Sequence, residues 1–247
     1  MIVFVHIPKT GGNTLNQIAG NLPGVKAWIV NSETELGWKI KENPPGKPLD
    51  LDYIGGHFRL DHVRSLVAER KSTSPPRFVT LIRDPLERAF SLYLFVLRVP
   101  TALPDVSKAV QGRDFAYFID YTYDNANWHL RDAQAWLLCG QRSALLAKEA
   151  IHDHLAVVGG TDSWGRFYHA VQELKVLSLP DNVSGFLGNV APMAREPAEI
   201  SQGSKPDDWR QVIGLAVIRK LKEINRADFE LYDYVVRERG GLICHAA

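Results

Sequence analysis

The apolar residues of this chain fall into short runs that alternate with stretches of helical spacing. Val3-Phe4-Val5-His6-Ile7 is the first such run, and residues 14–19 continue as a helix stopped near Gly20 and Pro23. Residues 25–30 read as a second strand, and Tyr53-Ile54 as a short strand running into Gly55-Gly56-His57, with a helix over 61–71. The clearest strand is Arg77-Phe78-Val79-Thr80-Leu81-Ile82, whose β-branched and aromatic content suits a buried parallel strand. Leu155-Ala156-Val157-Val158 gives another, ending at Gly159-Gly160. Beyond Arg98 helical spacing dominates, over 114–121, 127–139, 143–152 and 162–174, then 207–239. In the last of these, Leu215, Ile218, Leu221 and Ile224 recur every three residues and are expected to face the core. Residues 43–48 and 72–76 are loops by their prolines, and 185–206 is expected to be an irregular, functional loop. Strands separated by helices predict an α/β fold with a central, mainly parallel sheet flanked by helices, and helical additions after Arg83.

Composition narrows this only at a few points. With 247 residues there is room for one domain with a full core, expected to span 1–247. A net charge of +1 argues against a general nucleic-acid binder, which needs a large excess of phosphate-neutralising charge. Cys139 and Cys244 make no disulfide framework and suit a reducing compartment. No apolar run approaches the roughly 18 residues of a membrane span, and the first run is too short for a signal peptide and lacks a basic segment before it. A soluble, cytoplasmic protein is expected, or a domain excised from a longer one.

Two stretches carry candidate chemistry. The first is Pro8-Lys9-Thr10-Gly11-Gly12-Asn13-Thr14, between a strand and a helix. Glycines let a ligand approach the backbone, a helix N-terminus offers unpaired amides and a favourable dipole, and Lys9 adds a full positive charge. The lysine precedes the glycines, so this is not the usual nucleotide-triphosphate loop; a glycine-rich turn with a solvated lysine is the alternative. The second stretch is Arg83-Asp84-Pro85-Leu86-Glu87-Arg88-Ala89-Phe90-Ser91-Leu92-Tyr93. Asp84 is a good N-cap and Pro85 fits the first helical position. Arg88 and Ser91 then share one face, with Leu86, Phe90, Tyr93 and Leu97 opposite and packing inward. Arg83 stands at a strand's carboxyl end, where open α/β sheets bind ligands, so Arg83 and Ser91 form a candidate phosphate clamp. A simple ion pair from Arg83 to Asp84 or another carboxylate is the alternative.

Two anion sites at neighbouring strand ends imply a ligand with two separated phosphates. The Lys9 stretch resembles the 5′-phosphosulfate-binding loop of sulfotransferases that use 3′-phosphoadenosine 5′-phosphosulfate (PAPS), and the Arg83 stretch resembles their 3′-phosphate-binding motif. The closer likeness is to the carbohydrate group that includes heparan sulfate 2-O-sulfotransferase. Leu138-Cys139-Gly140, Val157-Val158-Gly159 and Asp228-Phe229-Glu230-Leu231-Tyr232 also resemble segments of that group, in the same order. The resemblance implies a P-loop-type three-layer fold and PAPS as co-substrate, with adenosine 3′,5′-bisphosphate (PAP) as product and no metal. It implies cofactor contacts from Lys9, Thr10, Gly11, Gly12, Asn13, Thr14, Arg83 and Ser91. Enzymes of that group are commonly anchored in the Golgi membrane, and no anchor is evident here, which points to a bacterial or otherwise soluble relative.

Sulfuryl transfer places two demands on a site. Charge building on the leaving phosphate calls for a cation, for which Lys9 is the candidate, and the acceptor hydroxyl needs a base. His57 follows a strand and two glycines and should emerge at the edge where Lys9 lies; the resemblance also implies a histidine base in this region. His62, on the following helix, and His6, within the first strand, are its rivals. The acceptor is expected to be a carbohydrate or small metabolite. Arg59, Arg64, Arg70 and Lys71, six tryptophans, and Arg195 and Lys205 are weaker candidates for touching acceptor or donor. Two other functions remain open at this point: an ATP–magnesium kinase, for which Asp84 is the only good metal-binding acid, and a nucleotide-binding module without catalysis.

Overall fold

The computed structural model describes residues 1–44, 46–70, 72–125, 130–181 and 213–245. The expected loop at 185–206 lies outside them, as do Lys71, Trp128, His129, Arg195, Lys205 and Trp209. Six strands form one sheet in the order β2-β3-β1-β4-β5-β6. Strand β1 (Ile2–Val5) is central, with β3 (Tyr53–Gly56) and then β2 (Ala27–Val30) on one side. On the other side come β4 (Arg77–Ile82), β5 (Leu155–Gly160) and β6 (Leu242–Cys244). All pairs are parallel except β5 with β6. The antiparallel β6 has three residues, too few for a sequence pattern to register.

The period of two along β1 sorts the core into layers. Ile2 and Phe4 pack with α1 (Asn13–Asn21) and α9 (Trp164–Glu173). Val3 and Val5 pack on the other face with α2 (Glu33–Glu42), α3 (Leu60–Arg70), α7 (Ala133–Cys139), α8 (Ala144–His154) and α11 (Arg226–Tyr232). A further apolar cluster joins α4 (Pro85–Arg98), α5 (Pro104–Val110), α6 (Phe115–Asn125) and α10 (Leu215–Ile224), the helical additions expected after Arg83. The result is a three-layer α/β fold with a mainly parallel sheet, as the sequence pattern and the resemblance both require.

Three expectations need adjustment. Helix α2 carries a capping signal that the apolar pattern alone passes over. Ser32 Oγ accepts from Glu35 N (3.1 Å), and Glu35 reaches back to Asn31 N (2.8 Å). In α10, Leu221 and Ile224 are buried but Leu215 is 72% exposed. A strict three-residue repeat drifts about 60° per step on a 3.6-residue helix, so its two ends face opposite ways. In α4 Arg88 is 1% exposed, while of the residues expected to pack inward Tyr93 is buried and Leu86, Phe90 and Leu97 are only partly covered. Helix α4 is packed on both sides, because α11 covers the face that carries Arg88 and supplies Asp228 as its partner.

Candidate active site

Sheet register sets the site. Val5 lies beside Gly56 on one side and Thr80 on the other. The residues that follow these strands, the Lys9 loop, His57 and Arg83, therefore leave the sheet at one carboxyl edge.

The Lys9 loop is held open rather than closed on itself. Thr10 Oγ1 donates to Ile7 O (2.8 Å), tightening the turn, and Lys9 and Gly11 both take left-handed backbone, φ 70° and 77°. A lysine there costs about 1 kcal/mol, which the loop's hydrogen bonds must offset. One is Arg83 Nη1 donating to Lys9 O (3.2 Å), so the two candidate anion sites adjoin. Gly12 takes the N-cap position of α1 and so provides no capping side chain. Among the described residues the N–H groups of Gly11, Gly12 and Asn13 have no protein acceptor. Gly12 is there for space: a Cβ would stand 2.3 Å from His6 Cδ2 and 2.6 Å from the Phe4 ring. Thr10 uses its hydroxyl hydrogen inside the loop. Thr14 Oγ1, by contrast, is buried without a partner among the described residues.

Lys9 Nζ sits 4.2 Å from the centroid of the Phe95 ring on α4. Its ammonium is pushed down to about 8, by burial first and then by the positive charges of Arg83 and Arg98. An anion arriving at the loop would offset the repulsion from the two guanidinium groups.

Arg83 is fixed twice. Its guanidinium bonds Lys9 O and pairs with Glu87 (3.5 Å). Its backbone is gripped by the buried carboxamide of Gln134, which accepts from Arg83 N (2.8 Å) and donates to Arg83 O (2.9 Å). Gln134 thus stands where another strand's peptide group would. Its own helix, α7, is capped by Asp228, which accepts from Gln134 N (3.1 Å) and Ala135 N (2.8 Å). Asp84 caps α4, accepting from Leu86 N (2.9 Å) and Glu87 N (3.1 Å), as its position predicts. That capping role by itself accounts for the one acid suited to a kinase's magnesium. Ser91 lies further along α4, half-buried.

His57 donates from Nδ1 to His6 O (2.7 Å). A carbonyl can only accept, so the hydrogen is on Nδ1 and the lone pair is on Nε2, the state a general base needs. Burial, and secondarily the charge of Lys9, lower its pKa from the usual 6.5, against the opposing pull of the His6 carbonyl. The rings of His57 and His6 are 4.5 Å apart. His6 itself is 4% exposed and held far below its ordinary pKa by burial. Tyr53 OH donates to Asn16 Oδ1 (2.6 Å), which turns Asn16 Nδ2 towards His6 Nδ1 (3.4 Å). His6 is thus a neutral, buried support for His57. His62 lies on α3, where its backbone N–H bonds Asp61. Gly55 and Gly56 leave the room this arrangement needs, since a Cβ would meet Asn16 Oδ1 at 2.1 Å and Val30 O at 2.3 Å. An open cleft of about 390 Å³ runs from His57 and His6 along α1 to Asn31.

Gln134, Asp228 and Phe95 were not singled out as functional by sequence reasoning. Asp228 lies in a segment noted for its family likeness, but one glutamine and one phenylalanine within helices carry no local signal. Among the described residues no group of three or more His, Cys, Asp or Glu is arranged to hold a metal ion, and no helix is long and apolar enough to cross a membrane.

The fold is a three-layer α/β fold with a glycine-bearing loop of open backbone amides after its first strand. The sulfotransferase family profile matches residues 1–235, and the chain belongs to that family. It is a PAPS-dependent sulfotransferase. Among solved structures it is similar to mouse sulfotransferase SULT7A1 complexed with PAP, with 14% identity and a TM-score of 0.55. That alignment covers 97% of this chain and 88% of the other. No curated protein sequence matches the chain.

Proposed function

We propose that this enzyme sulfates a hydroxyl of a carbohydrate or small metabolite, with His57 as general base and Lys9 at the leaving phosphate. The reading is carried by one observation: His57, with Nδ1 committed to His6 O, stands at the same sheet edge as the Lys9 loop.

The donor's 5′-phosphate fits the loop by the loop's own chemistry. The open amides of Gly11, Gly12 and Asn13 point to an acceptor of several hydrogen bonds, and the unpartnered Thr14 hydroxyl needs one more. Lys9 supplies the charge, and the Thr10 hydroxyl keeps the loop in shape. The 3′-phosphate is assigned to Arg83 and Ser91, the first already oriented by Gln134 and Lys9 O. In the reaction the acceptor oxygen bonds to sulfur, the bond from sulfur to the phosphate oxygen breaks, and PAP leaves. His57 Nε2 takes the acceptor's proton, and Lys9 neutralises charge developing on the phosphate.

Calorimetric titration with PAP and with ATP–magnesium tests the donor assignment, and PAP alone is expected to bind tightly. Replacing His57 by Ala should leave PAP affinity within about twofold and lower kcat about 10²- to 10⁴-fold, the range of general-base losses. Unchanged turnover in that variant removes His57 from the mechanism.

A further inference from the structure

His6 is held by more polar machinery than a packing residue needs. Its buried ring stacks on Phe4, with centroids 5.4 Å apart and 15° between planes. Two further buried side chains are committed to one of its nitrogens. Tyr53 OH, from β3, donates to Asn16 Oδ1 (2.6 Å), and this turns Asn16 Nδ2, from α1, towards His6 Nδ1 (3.4 Å). An amide nitrogen can only donate, so Nδ1 carries the lone pair and the ring's one hydrogen is on Nε2. That N–H has no acceptor among the described residues. An apolar side chain would fill the same space without burying three polar groups.

The place of that N–H points to its use. His6 Cδ2, which is bonded to Nε2, is the atom that a Cβ on Gly12 would strike at 2.3 Å, so this edge of the ring lies against the loop of open amides. The ring also stands 4.5 Å from that of His57, and His6, His57, Asn13 and Asn16 line one cleft. His6 is therefore flanked by the loop assigned to the donor's phosphate and by the base assigned to the acceptor, and the sulfuryl group passes between those two. We propose that His6 is itself catalytic, its Nε2–H donating to an oxygen of the transferring sulfuryl group, with Asn16 and Tyr53 as positioning residues that keep the hydrogen on that nitrogen. Burial, then the charges of His57 and Lys9, hold His6 far below its ordinary pKa. It stays neutral and gives a hydrogen bond without giving up a proton, as a neutral imidazole can. The bonds made and broken are those already described, and His57 alone takes the acceptor's proton. The inference rests on the proposed transfer from PAPS at the Lys9 loop.

Proton–nitrogen correlation spectra of the histidines in the full, unaltered chain supply the first test. His6 is expected as the Nε2–H tautomer, and its Nε2–H resonance should move when PAPS replaces PAP at saturation, because only PAPS carries the sulfuryl group. An Nδ1–H tautomer, or one His6 spectrum for both ligands, overturns the proposal. Kinetics supply the second. His6→Leu should lower kcat about 10²-fold, the loss expected for one oxyanion donor, with PAP Kd and the acid limb of kcat/KM in place. His6→Gln, which returns an N–H near Nε2, should recover about tenfold of that. Tyr53→Phe, which frees Asn16, should lower kcat about fivefold with PAP Kd unchanged. A matching loss of PAP affinity in His6→Leu, or a displaced acid limb, makes His6 a prop for the loop or for His57 and sinks the idea. Where a variant does not fold, the spectra decide. If neither PAP nor PAPS binds the unaltered protein, the donor reading falls with this one. If His57→Ala keeps full turnover while His6 still responds to PAPS alone, the base assignment falls and this one stands.

Discussion

At the scale of single residues, the two titrating groups given chemical roles are both displaced downward, which favours the role of His57 and works against that of Lys9. His57 must be neutral to take a proton, and burial and Lys9 lower its pKa from 6.5. Lys9 must be charged to hold phosphate, and burial with Arg83 and Arg98 brings it down to about 8. The signs give a bell. In the free enzyme kcat/KM rises with pH as His57 loses its proton at a value below 6.5, then falls through about 8 as Lys9 loses its own. Initial rates at subsaturating PAPS from about pH 5 to about pH 9.5 should trace both limbs, and PAP affinity should follow only the alkaline one. Lys9→Arg should flatten the alkaline limb of PAP binding, because a guanidinium does not titrate there. An alkaline limb unchanged in that variant assigns it to another group. These residues were legible in the sequence because each sits beside a local signal: Lys9 before paired glycines, His57 after another pair. The reason for the glycines was not legible, since the atoms that exclude a Cβ at Gly12 and Gly55 come from His6, Phe4 and Asn16, on other parts of the fold.

At the scale of elements, strands β1, β3, β4 and β5 were readable because each is a dense apolar run, buried on both faces and bounded by Gly or Pro. The capped start of α4 was readable because a cap is written in adjacent residues, Asp84 and Pro85. Apart from the local capping box of α2 and the drift that turns Leu215 outward, what escaped depends on a distant partner. Strand β6 exists by pairing with β5, and Arg88 is buried because Asp228 arrives from α11. Gln134 is the case with a functional consequence. Helix α7 lends a side-chain amide to the end of β4, pairing both backbone groups of Arg83 and thereby fixing where the guanidinium emerges. Gln134→Leu keeps the volume but leaves Arg83 N and O without partners, a loss of about 1–3 kcal/mol. If the glutamine positions Arg83, that loss appears chiefly as a PAPS KM and PAP Kd raised about tenfold, with kcat changed much less. Steady-state kinetics with PAPS varied, beside a thermal melt, separate the cases: lowered stability with an unaltered KM makes Gln134 a packing residue only.

At the scale of the molecule, a buried polar network ties the sheet to the helices added beyond Arg83. Arg88 of α4 donates to Leu130 O (3.1 Å) and faces Asp228 of α11 (3.8 Å), while Asp132 accepts from Asp228 N (3.1 Å) and donates its own N–H to Asn225 (3.1 Å). Three distant stretches meet there with both charges almost wholly out of water. Asp228 is raised to about 6, by burial first, with Arg88 and the amides of α7 pulling the other way. A carboxyl raised in the folded state contributes stability below its unfolded value near 4, and that contribution is lost as pH rises through about 6. Removing Arg88 takes away the main opposing pull, so Asp228 rises further and its ionisation becomes costlier. Arg88→Leu is therefore expected to cost about 3 kcal/mol in urea unfolding at about pH 8 and markedly less near pH 5.5, where Asp228 takes up a proton. Adding Asp228→Asn to Arg88→Leu should erase that extra pH dependence, because no buried carboxyl remains to ionise. A pH-independent cost in the single variant would show that Arg88 stabilises the junction through its packing and its bond to Leu130 rather than through charge.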